Sequence, residues 1–423
     1  MKISQFKLSN GAQCIVIPSE DSPSVTVMAM ARIGSKYESD NERGLSHFLE
    51  HMLFKGSQKY PTSAIITEKL EGVGAHYNAF TSHEYTGYYA KVARTHTELA
   101  MDVISSMYTT PLFDSAEIEK EKGVIVEEIR MYRDMPDRHV WNVYMEALYG
   151  DIPAGRSIAG TVESVRSFTD ADFKRYFAKG YTSESSLIVV SGGVSEDEAR
   201  TLAEKYFSAI PQGKAPEKVS VNENPTEPTI VTDVRETDQT HIIVGIRTFG
   251  ANDPRRFALR VLSAALGSGM SSRLFKKLRD EMGVGYYVHS EYDAYTDHGS
   301  LAISAGVDNS RVEEVVPVIL NECSNFVDVA MTDAELTKVK EYIIGGSMLS
   351  LESSDAQANY VANALILRNA VEPIEKVAEK IRAVTAAEVQ ALAKELFITK
   401  NLAFASVGRV TSERIKPLLV FKK

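Results

Sequence analysis

The stretch VESVRSFTDADFKRYFAKGYTSESSLIVVSGGV, residues 162–194, combines an amphipathic helix, a turn and an apolar strand. The same order of features recurs in AEKIRAVTAAEVQALAKELFITKNLAFASVGRV, residues 378–410, with Thr169 and Thr385 at matching helix starts. A unit that recurs at this length indicates a duplicated supersecondary structure. We therefore predict an α+β fold of two homologous domains, each a β-sheet backed by helices.

A second pair of matching stretches supports the duplication. DSAEIEKEKGVIVEEI, residues 114–129, corresponds to TDAELTKVKEYIIGGS, residues 332–347, and each lies at nearly the same distance before the first pair. Between the halves, PQGKAPEKVSVNENPTEPT is rich in Pro, Lys, Glu and Asn, a composition typical of a linker. We predict an N-terminal domain over residues 1–212, a linker over 213–229 and a C-terminal domain over 230–423.

Length and composition restrict the class of protein. The chain has 423 residues, 44% of them hydrophobic and 25% charged, which is typical of a globular protein with more than one core. Runs of 18 apolar residues are absent, and the net charge is −10, so neither a membrane nor a nucleic acid is an expected partner. The first residues lack an apolar signal segment, and we expect a cytoplasmic protein. Cys14 and Cys323 have no metal-site spacing and are expected to be buried thiols.

The two copies differ in one group of polar residues. LSHFLEH in the first half aligns with LSAALGS in the second. His47, Glu50, His51 and Glu128 thus stand where the second copy has Ala264, Gly267, Ser268 and Gly346. Residues required for packing would recur in both copies, so we assign the chemistry to the first half.

The segment that contains LSHFLEH is predicted to be a helix with two different faces. Ser39 and Asp40 with Glu42 indicate its start, and Gly56 indicates its end. Its apolar residues form one stripe at i, i+3, i+4 and i+7: Leu45, Phe48, Leu49, Met52 and Leu53.

His47, Glu50 and His51 lie on the side of this helix opposite the stripe. The two histidines are four residues apart, so both imidazoles can reach one metal ion; a solvated polar face is the alternative interpretation. His-x-x-Glu-His is the inverted form of a zinc peptidase motif, and imidazole and carboxylate ligands suit Zn²⁺. Glu50 would then accept a proton from water instead of binding the metal.

A third metal ligand is expected from a helix that begins at Asp114 and Ser115. Its residues Glu121, Ile125, Glu128 and Tyr132 share one face. Two carboxylates on that face could point toward the histidines. Spacing alone does not decide between Glu127 and Glu128 as the ligand.

Three stretches carry a resemblance to a known family. GLSHFLEHMLFKGSQKYP, GAHYNAFTSHEYTGYYAKV and EIEKEKGVIVEEI resemble segments of the pitrilysin family, and more closely its half-length branch that includes mitochondrial processing peptidase. The resemblance covers nearly the whole chain. It implies Glu128 as the third ligand, Glu121 as the carboxylate that orients the site, and one Zn²⁺ per chain.

The resemblance also implies how substrate binds. In such peptidases an extended peptide lies along a sheet edge near the zinc, which here implies contacts from Asn78, Ala79 and Phe80. Phe54 could line a pocket for an apolar substrate side chain, or simply pack. In RLFKKLRDEMGVGYYVHSEY, Arg279 and Tyr286 match the pair that positions substrate and stabilises negative charge on a carbonyl oxygen.

These observations predict a zinc-dependent endopeptidase that hydrolyses unfolded peptides or presequence-like segments. By resemblance, one chain supplies half of a clamshell chamber. Because the zinc residues and the Arg-Tyr pair occur together, we expect a homodimer. The alternative is a non-catalytic scaffold or partner subunit, which the complete ligand set disfavours. The sequence leaves open whether the enzyme processes precursors or clears peptides.

Overall fold

The computed structural model of the protein describes residues 1–222 and 224–421. Glu223, within the predicted linker, and Lys422 and Lys423, at the end of the predicted C-terminal domain, lie outside the described residues. The chain forms two compact units. The first comprises Met1–Ile129, Ser157–Val219 and Leu349–Val371, and the second comprises Arg130–Arg156, Ser220–Met348 and Glu372–Lys423.

The described residues form eleven strands, which make up two sheets, one in each unit. They are β1 Ser4–Lys7, β2 Gln13–Pro18, β3 Ser24–Ala31, β4 His76–Thr81, β5 Thr86–Ala93, β6 Ser186–Gly192, β7 Thr229–Val234, β8 Gln239–Thr248, β9 Gly285–Ala294, β10 Gly299–Asp308 and β11 Leu402–Gly408. The first sheet has the order β1-β2-β6-β3-β5-β4 and the second β7-β11-β8-β10-β9. In the first sheet only β2 and β6 are parallel, and in the second only β7 and β11.

The two sheets therefore repeat one topology, apart from the additional β1. Starting from β2, the order β2-β6-β3-β5-β4 has the same connectivity as β7-β11-β8-β10-β9, and the parallel pair occupies the same place. The predicted α+β fold of two sheet-and-helix domains is confirmed.

The helices cover both faces of these sheets. They are α1 Leu45–Leu53, α2 Ser63–Glu71, α3 Thr97–Thr109, α4 Ser115–Asp134, α5 Pro136–Tyr149, α6 Val162–Ser167, α7 Asp170–Gly180, α8 Glu196–Phe207, α9 Arg256–Gly267, α10 Val312–Asp328, α11 Asp333–Leu349, α12 Ser354–Arg368, α13 Ile374–Ala383, α14 Ala386–Leu396 and α15 Ser412–Ile415. Single 3-10 turns cover Ser35–Tyr37, Asp40–Glu42, Arg94–His96, Thr399–Asn401 and Lys416–Leu418, and a π-helix covers Phe275–Glu281. None of the helices in the described residues has both the length and the apolar character needed to cross a membrane.

Two helices pack on the sheet of the other sequence half. Helix α5 follows the first-half helix α4, yet it packs in the second unit, where Tyr144 and Ala147 contact the core around Ile243. Helix α12 belongs to the second half of the sequence, yet its Val361 and Leu365 pack on the first sheet. Each compact unit thus contains segments from both sequence halves, because each sheet buries its second face under a helix from the other half. The boundaries 1–212 and 230–423 describe the sequence halves and remain a prediction as domain limits.

Candidate active site

Helix α1 begins later than the sequence pattern predicts. Ser39 and Glu42, predicted to mark its start, form a capping box that closes only the single 3-10 turn Asp40–Glu42. The α-helix starts at Leu45, after Gly44 in the left-handed region at φ 90°. A Cβ at Gly44 would lie 2.6 Å from a backbone oxygen, so both the conformation and the space require glycine. The apolar stripe of α1 is buried as predicted.

A buried carboxyl group holds the start of α1. Glu38 accepts hydrogen bonds from the backbone N–H of Gly44 at 2.8 Å and of Ser46 at 2.7 Å. Helix N-termini leave these N–H groups without partners within the helix. Burial raises the pKa of Glu38 to about 8, although the two N–H groups act in the opposite direction. Glu38 therefore fixes the helix that carries three predicted site residues.

Three predicted ligands converge in the first unit. The Nε2 atoms of His47 and His51 lie 3.7 and 3.5 Å from Oε2 of Glu128. One donor atom from each of the three residues falls within 4.8 Å of the others. Glu127, the alternative from the sequence, is exposed and does not belong to this group.

This donor set fits a zinc ion. Zinc ligands bound at about 2.1 Å and at tetrahedral angles lie about 3.4 Å from one another, close to the two separations from Glu128. Burial, with a smaller contribution from His51, lowers the pKa of His47 to about 3, so its imidazole is neutral and able to bind metal. All three side chains are partly exposed, which leaves access for water and substrate.

Glu121 orients one of the histidines. Its Oε1 atom lies 2.9 Å from Nδ1 of His51, and its Oε2 atom lies 2.5 Å from Nζ of Lys55. Burial alone would raise the pKa of Glu121, but the bonds and charges of His51 and Lys55 outweigh it and the pKa is lowered. For His51, burial is likewise outweighed by Glu121 and nearby acids, which raise its pKa. The ionised carboxylate thus holds His51 with Nε2 turned toward Glu128.

The predicted general base has a partner that the sequence analysis missed. Thr81, at the end of β4, donates a hydrogen bond from Oγ1 to Oε2 of Glu50 at 2.5 Å. Burial raises the pKa of Glu50 above its usual range, and the bond from Thr81 acts in the opposite direction. A carboxylate whose pKa is moved toward neutrality is suited to proton transfer.

Strand β4 forms the free edge of the first sheet, beside α1. The backbone N–H of Ser82 bonds to the carbonyl of Tyr85 across the β4–β5 turn. Because backbone groups alternate in direction along a strand, those of Tyr77, Ala79 and Thr81 face the open edge. Asn78 places its Oδ1 2.9 Å from the N–H of Ala79. The edge next to Glu50 therefore offers backbone groups for pairing with another strand.

Phe80 and Phe54 both pack against aromatic residues of the first unit. By the same alternation, the backbone of Phe80 pairs with β5, and its ring packs over Gly87 and beside Tyr85 and Tyr89. The role of Phe80 as a substrate contact remains a prediction. Phe54 is half-buried, and its ring centre lies 6.1 and 6.3 Å from those of Tyr77 and Tyr88, so part of it packs in the core.

Arg279 and Tyr286 belong to the second unit, and both occupy irregular backbone. Arg279 is exposed on the π-helix Phe275–Glu281, with its guanidinium 5.1 Å from the ring centre of Phe275. Tyr286 is 78% exposed near the start of β9. Such irregularities occur often at functional sites.

Comparison with known proteins gives the family. Residues 14–162 match the family model described as insulinase (peptidase family M16), and residues 167–343 match the model described as peptidase M16 inactive domain. A Bacillus subtilis relative named uncharacterized zinc protease YmxG is 33% identical over 406 residues, which are 96% of this chain and 98% of the relative. The chain belongs to peptidase family M16.

Further comparisons agree with an M16 chain. A Mycobacterium leprae relative, also named an uncharacterized zinc protease, is 33% identical over 93% of this chain and 89% of its own length. A protease from Helicobacter pylori shares the fold with a TM-score of 0.91, at 21% identity over 96% of this chain and 99% of that chain. A structure from Pseudomonas fluorescens, titled peptidase M16 inactive domain, has a TM-score of 0.90 at 18% identity, covering 97% and 99% of the two chains.

Two site residues of this M16 chain escaped the sequence analysis. Lys55 lies four residues after His51, a spacing that places side chains together at the end of a helix. Thr81 lies two residues after Ala79, on the same face of β4. Each spacing was available in the sequence, but only the packing of α1, α4 and β4 shows which acid each residue contacts.

Proposed function

We propose that this chain is a zinc-dependent endopeptidase that hydrolyses unfolded peptides or presequence-like segments. The observation that carries the proposal is the convergence of His47, His51 and Glu128, with Glu50 on the same helix as the histidines. Relatives named zinc proteases support zinc as the metal.

The site residues of the first unit have distinct roles in this proposal. His47, His51 and Glu128 hold the metal, and Glu121 orients His51. When bound, zinc supplies a Lewis acid that polarises a peptide carbonyl and acidifies water. Glu50 accepts the proton that water loses and donates it to the leaving amine. Its buried environment, which raises its pKa, favours both transfers.

The free edge of β4 provides the substrate site. A peptide that adds as a further strand would pair with the outward backbone groups around Ala79, beside Glu50. Asn78, whose side chain now lies against the N–H of Ala79, would contact the same peptide. Only an extended segment can pair in this way, which favours unfolded substrates. Arg279 and Tyr286 would position the peptide and stabilise negative charge on its carbonyl oxygen.

A homodimer is part of the proposal, because one chain carries both the zinc residues and the Arg279 and Tyr286 pair. Strand pairing tolerates many sequences, so it supports precursor processing and general peptide clearance equally. Mapping the cleavage sites in a mixed peptide library would separate them: a narrow sequence preference indicates processing, and scattered sites indicate clearance.

The second candidate is a scaffold or partner subunit without catalysis. The intact ligand set disfavours it, since a scaffold needs no metal residues. Elemental analysis of the purified protein tests both possibilities. We expect about one zinc per chain, most of it lost in His51→Ala and retained in the control His289→Ala, whose side chain is half-exposed on β9. Full zinc in His51→Ala, or no peptide hydrolysis by the zinc-loaded wild type, would contradict the proposal.

A further inference from the structure

A β-bulge lies at the start of the edge strand β9. Val307 of β10 is opposite Gly285, and the next residue of β10, Gly306, is opposite Tyr287. Two steps along β9 thus correspond to one step along β10, which leaves Tyr286 as the additional residue. A bulge of this kind changes the direction in which a side chain points.

The bulge explains why Tyr286 reaches solvent. Along a regular strand, alternate side chains share a face. Val288 and Ser290 are buried, so regular alternation would place Tyr286 on the same buried face. Tyr286 is instead 78% exposed. The extra residue at the bulge is what separates Tyr286 from the core.

The side chain of Tyr287 connects the bulge to β8 across the intervening strand β10. The hydroxyl of Tyr287 lies 3.0 Å from Nδ1 of His241 on β8. Between them on β10 lies Gly306, which is opposite both His241 and Tyr287 in the sheet. A Cβ at Gly306 would lie 2.7 Å from Cε1 of Tyr287, so the ring can cross β10 only because this residue is glycine. An aromatic ring over a cross-strand glycine fixes register in sheets.

The protonation states suit a lasting hydrogen bond. Burial raises the pKa of Tyr287 to about 12, so its hydroxyl keeps its proton. Burial lowers the pKa of His241; Asp137 opposes this shift and Arg235 adds to it, so the ring is neutral at neutral pH. A neutral ring can accept at Nδ1 the proton that the tyrosine donates.

We propose that His241, Gly306 and Tyr287 are positioning residues that hold the bulge in place and so orient Tyr286 toward the substrate. None of the three touches the reacting atoms in this account; they act through Tyr286. The inference rests on the proposed function, in which Tyr286 contacts the substrate. It gives a role to His241, for which the sequence showed no ligand spacing.

The test compares two single-hydroxyl deletions on the same strand in the full-length, zinc-loaded protein. Tyr287→Phe removes the bond to His241, whereas Tyr292→Phe removes a hydroxyl on the opposite face of β9. We expect Tyr287→Phe to lower kcat/KM for peptide hydrolysis about 10- to 100-fold, the effect of a misplacement of about 1 Å. It should also speed amide hydrogen exchange in residues 285–288, measured by mass spectrometry. Tyr292→Phe should do neither.

Two further variants examine the mechanism of positioning. His241→Asn places an amide group near the former Nδ1 and should restore much of the activity that His241→Leu loses. Gly306→Ala should resemble Tyr287→Phe although the hydroxyl remains, because the added methyl group displaces the ring. Similar activity of His241→Asn and His241→Leu, both far below wild type, would contradict a role for the hydrogen bond.

A double variant separates this inference from the proposed function. If Tyr287 acts through Tyr286, then adding Tyr287→Phe to a Tyr286→Phe variant should lower kcat/KM by at most about a further twofold. The inference would be overturned if Tyr287→Phe lowered kcat/KM by the same factor in both backgrounds. It would also be overturned if Tyr287→Phe alone kept the wild-type kcat/KM or the wild-type rate of amide exchange. An inactive wild type would instead refute the proposed function, and the exchange measurement would still decide whether the hydrogen bond holds the bulge.

Discussion

Nδ1 of His51 lies 2.9 Å from Oε1 of Glu121, and Nε2 of the same ring lies 3.5 Å from Glu128. One bond thus fixes which nitrogen can bind a metal. Among the described residues, the buried Nδ1 of His47 has no hydrogen-bond partner, so His51 is the histidine that a carboxylate orients. The metal affinity should therefore depend on a residue that does not bind the metal.

Glu121→Gln should weaken zinc binding about 10- to 100-fold, the usual cost of removing a carboxylate that orients a ligand histidine. The amide is neutral and no longer raises the basicity of His51. Competition with a chelator of known affinity measures the effect. Glu119→Gln is the control, since Glu119 lies on the same helix but is 70% exposed and pairs with Lys122. Equal affinities of the two variants would contradict the role of Glu121.

Glu128→Gln and Glu127→Gln form a matched pair on one turn of α4. Of these two residues, Glu128 has a carboxylate oxygen within 4.8 Å of a ring nitrogen of each histidine, while Glu127 is exposed. We expect Glu128→Gln to lose most bound zinc and Glu127→Gln to retain it, as measured by elemental analysis after dialysis. The reverse result would show that the third ligand had been assigned one residue away from its true position.

Features encoded locally were predictable from the sequence. The stripe from Leu45 to Leu53 is buried because helical periodicity alone determines which side chains share a face. The duplicated sheet was predictable because both halves repeat the same pattern. Asp114 caps α4 as expected, since its Oδ1 accepts from the backbone N–H of Ala116 and Glu117.

Features that depend on distant contacts were not predictable. The start of α1 was predicted too early, because Ser39 and Glu42 cap only a separate 3-10 turn. The α-helix itself is capped by Glu38, whose side chain reaches the backbone N–H of Gly44 six residues later. The packing of α5 on the second sheet has no local signal. The bulge at Tyr286 is likewise invisible, because the register between β9 and β10 determines it.

Glu38 predicts a pH dependence of stability. The folded protein keeps a proton on Glu38 up to about pH 8, whereas the unfolded chain releases it near the ordinary pKa of 4.5. The folded state therefore binds more protons between these values, and the contribution of Glu38 to stability falls as the pH rises through this window. Glu42 strengthens the effect, since its charge also raises the pKa of Glu38.

Melting temperatures of wild type and Glu38→Gln, measured in chelator from pH 5 to 9, test this dependence. The advantage of wild type over the variant should shrink as the pH rises. Glu127→Gln, which changes an exposed carboxyl on α4, is the control for a general loss of charge. Parallel curves for wild type and Glu38→Gln would contradict the raised pKa.

Mixing two variants tests the proposed dimer. If each site combines the zinc residues of one subunit with Arg279 and Tyr286 of its partner, a heterodimer of Glu50→Gln and Tyr286→Phe contains one intact site. Random pairing should then give about a quarter of wild-type activity, provided that the sites are independent. Subunit exchange is verified by mass spectrometry. Activity equal to the average of the separate variants would reject a site shared between subunits.

In the proposed mechanism, the chain holds a metal with one set of residues and transfers protons with another. Glu50 lies on the ligand helix but bonds to Thr81, outside the group of three ligand atoms. Measuring bound zinc and peptide hydrolysis together in Glu50→Gln tests whether the two roles are separate. We predict about one zinc per chain with hydrolysis reduced about 10²- to 10⁴-fold, the range for a general base. Wild-type hydrolysis by the zinc-loaded variant, or loss of its zinc, would contradict this separation of roles.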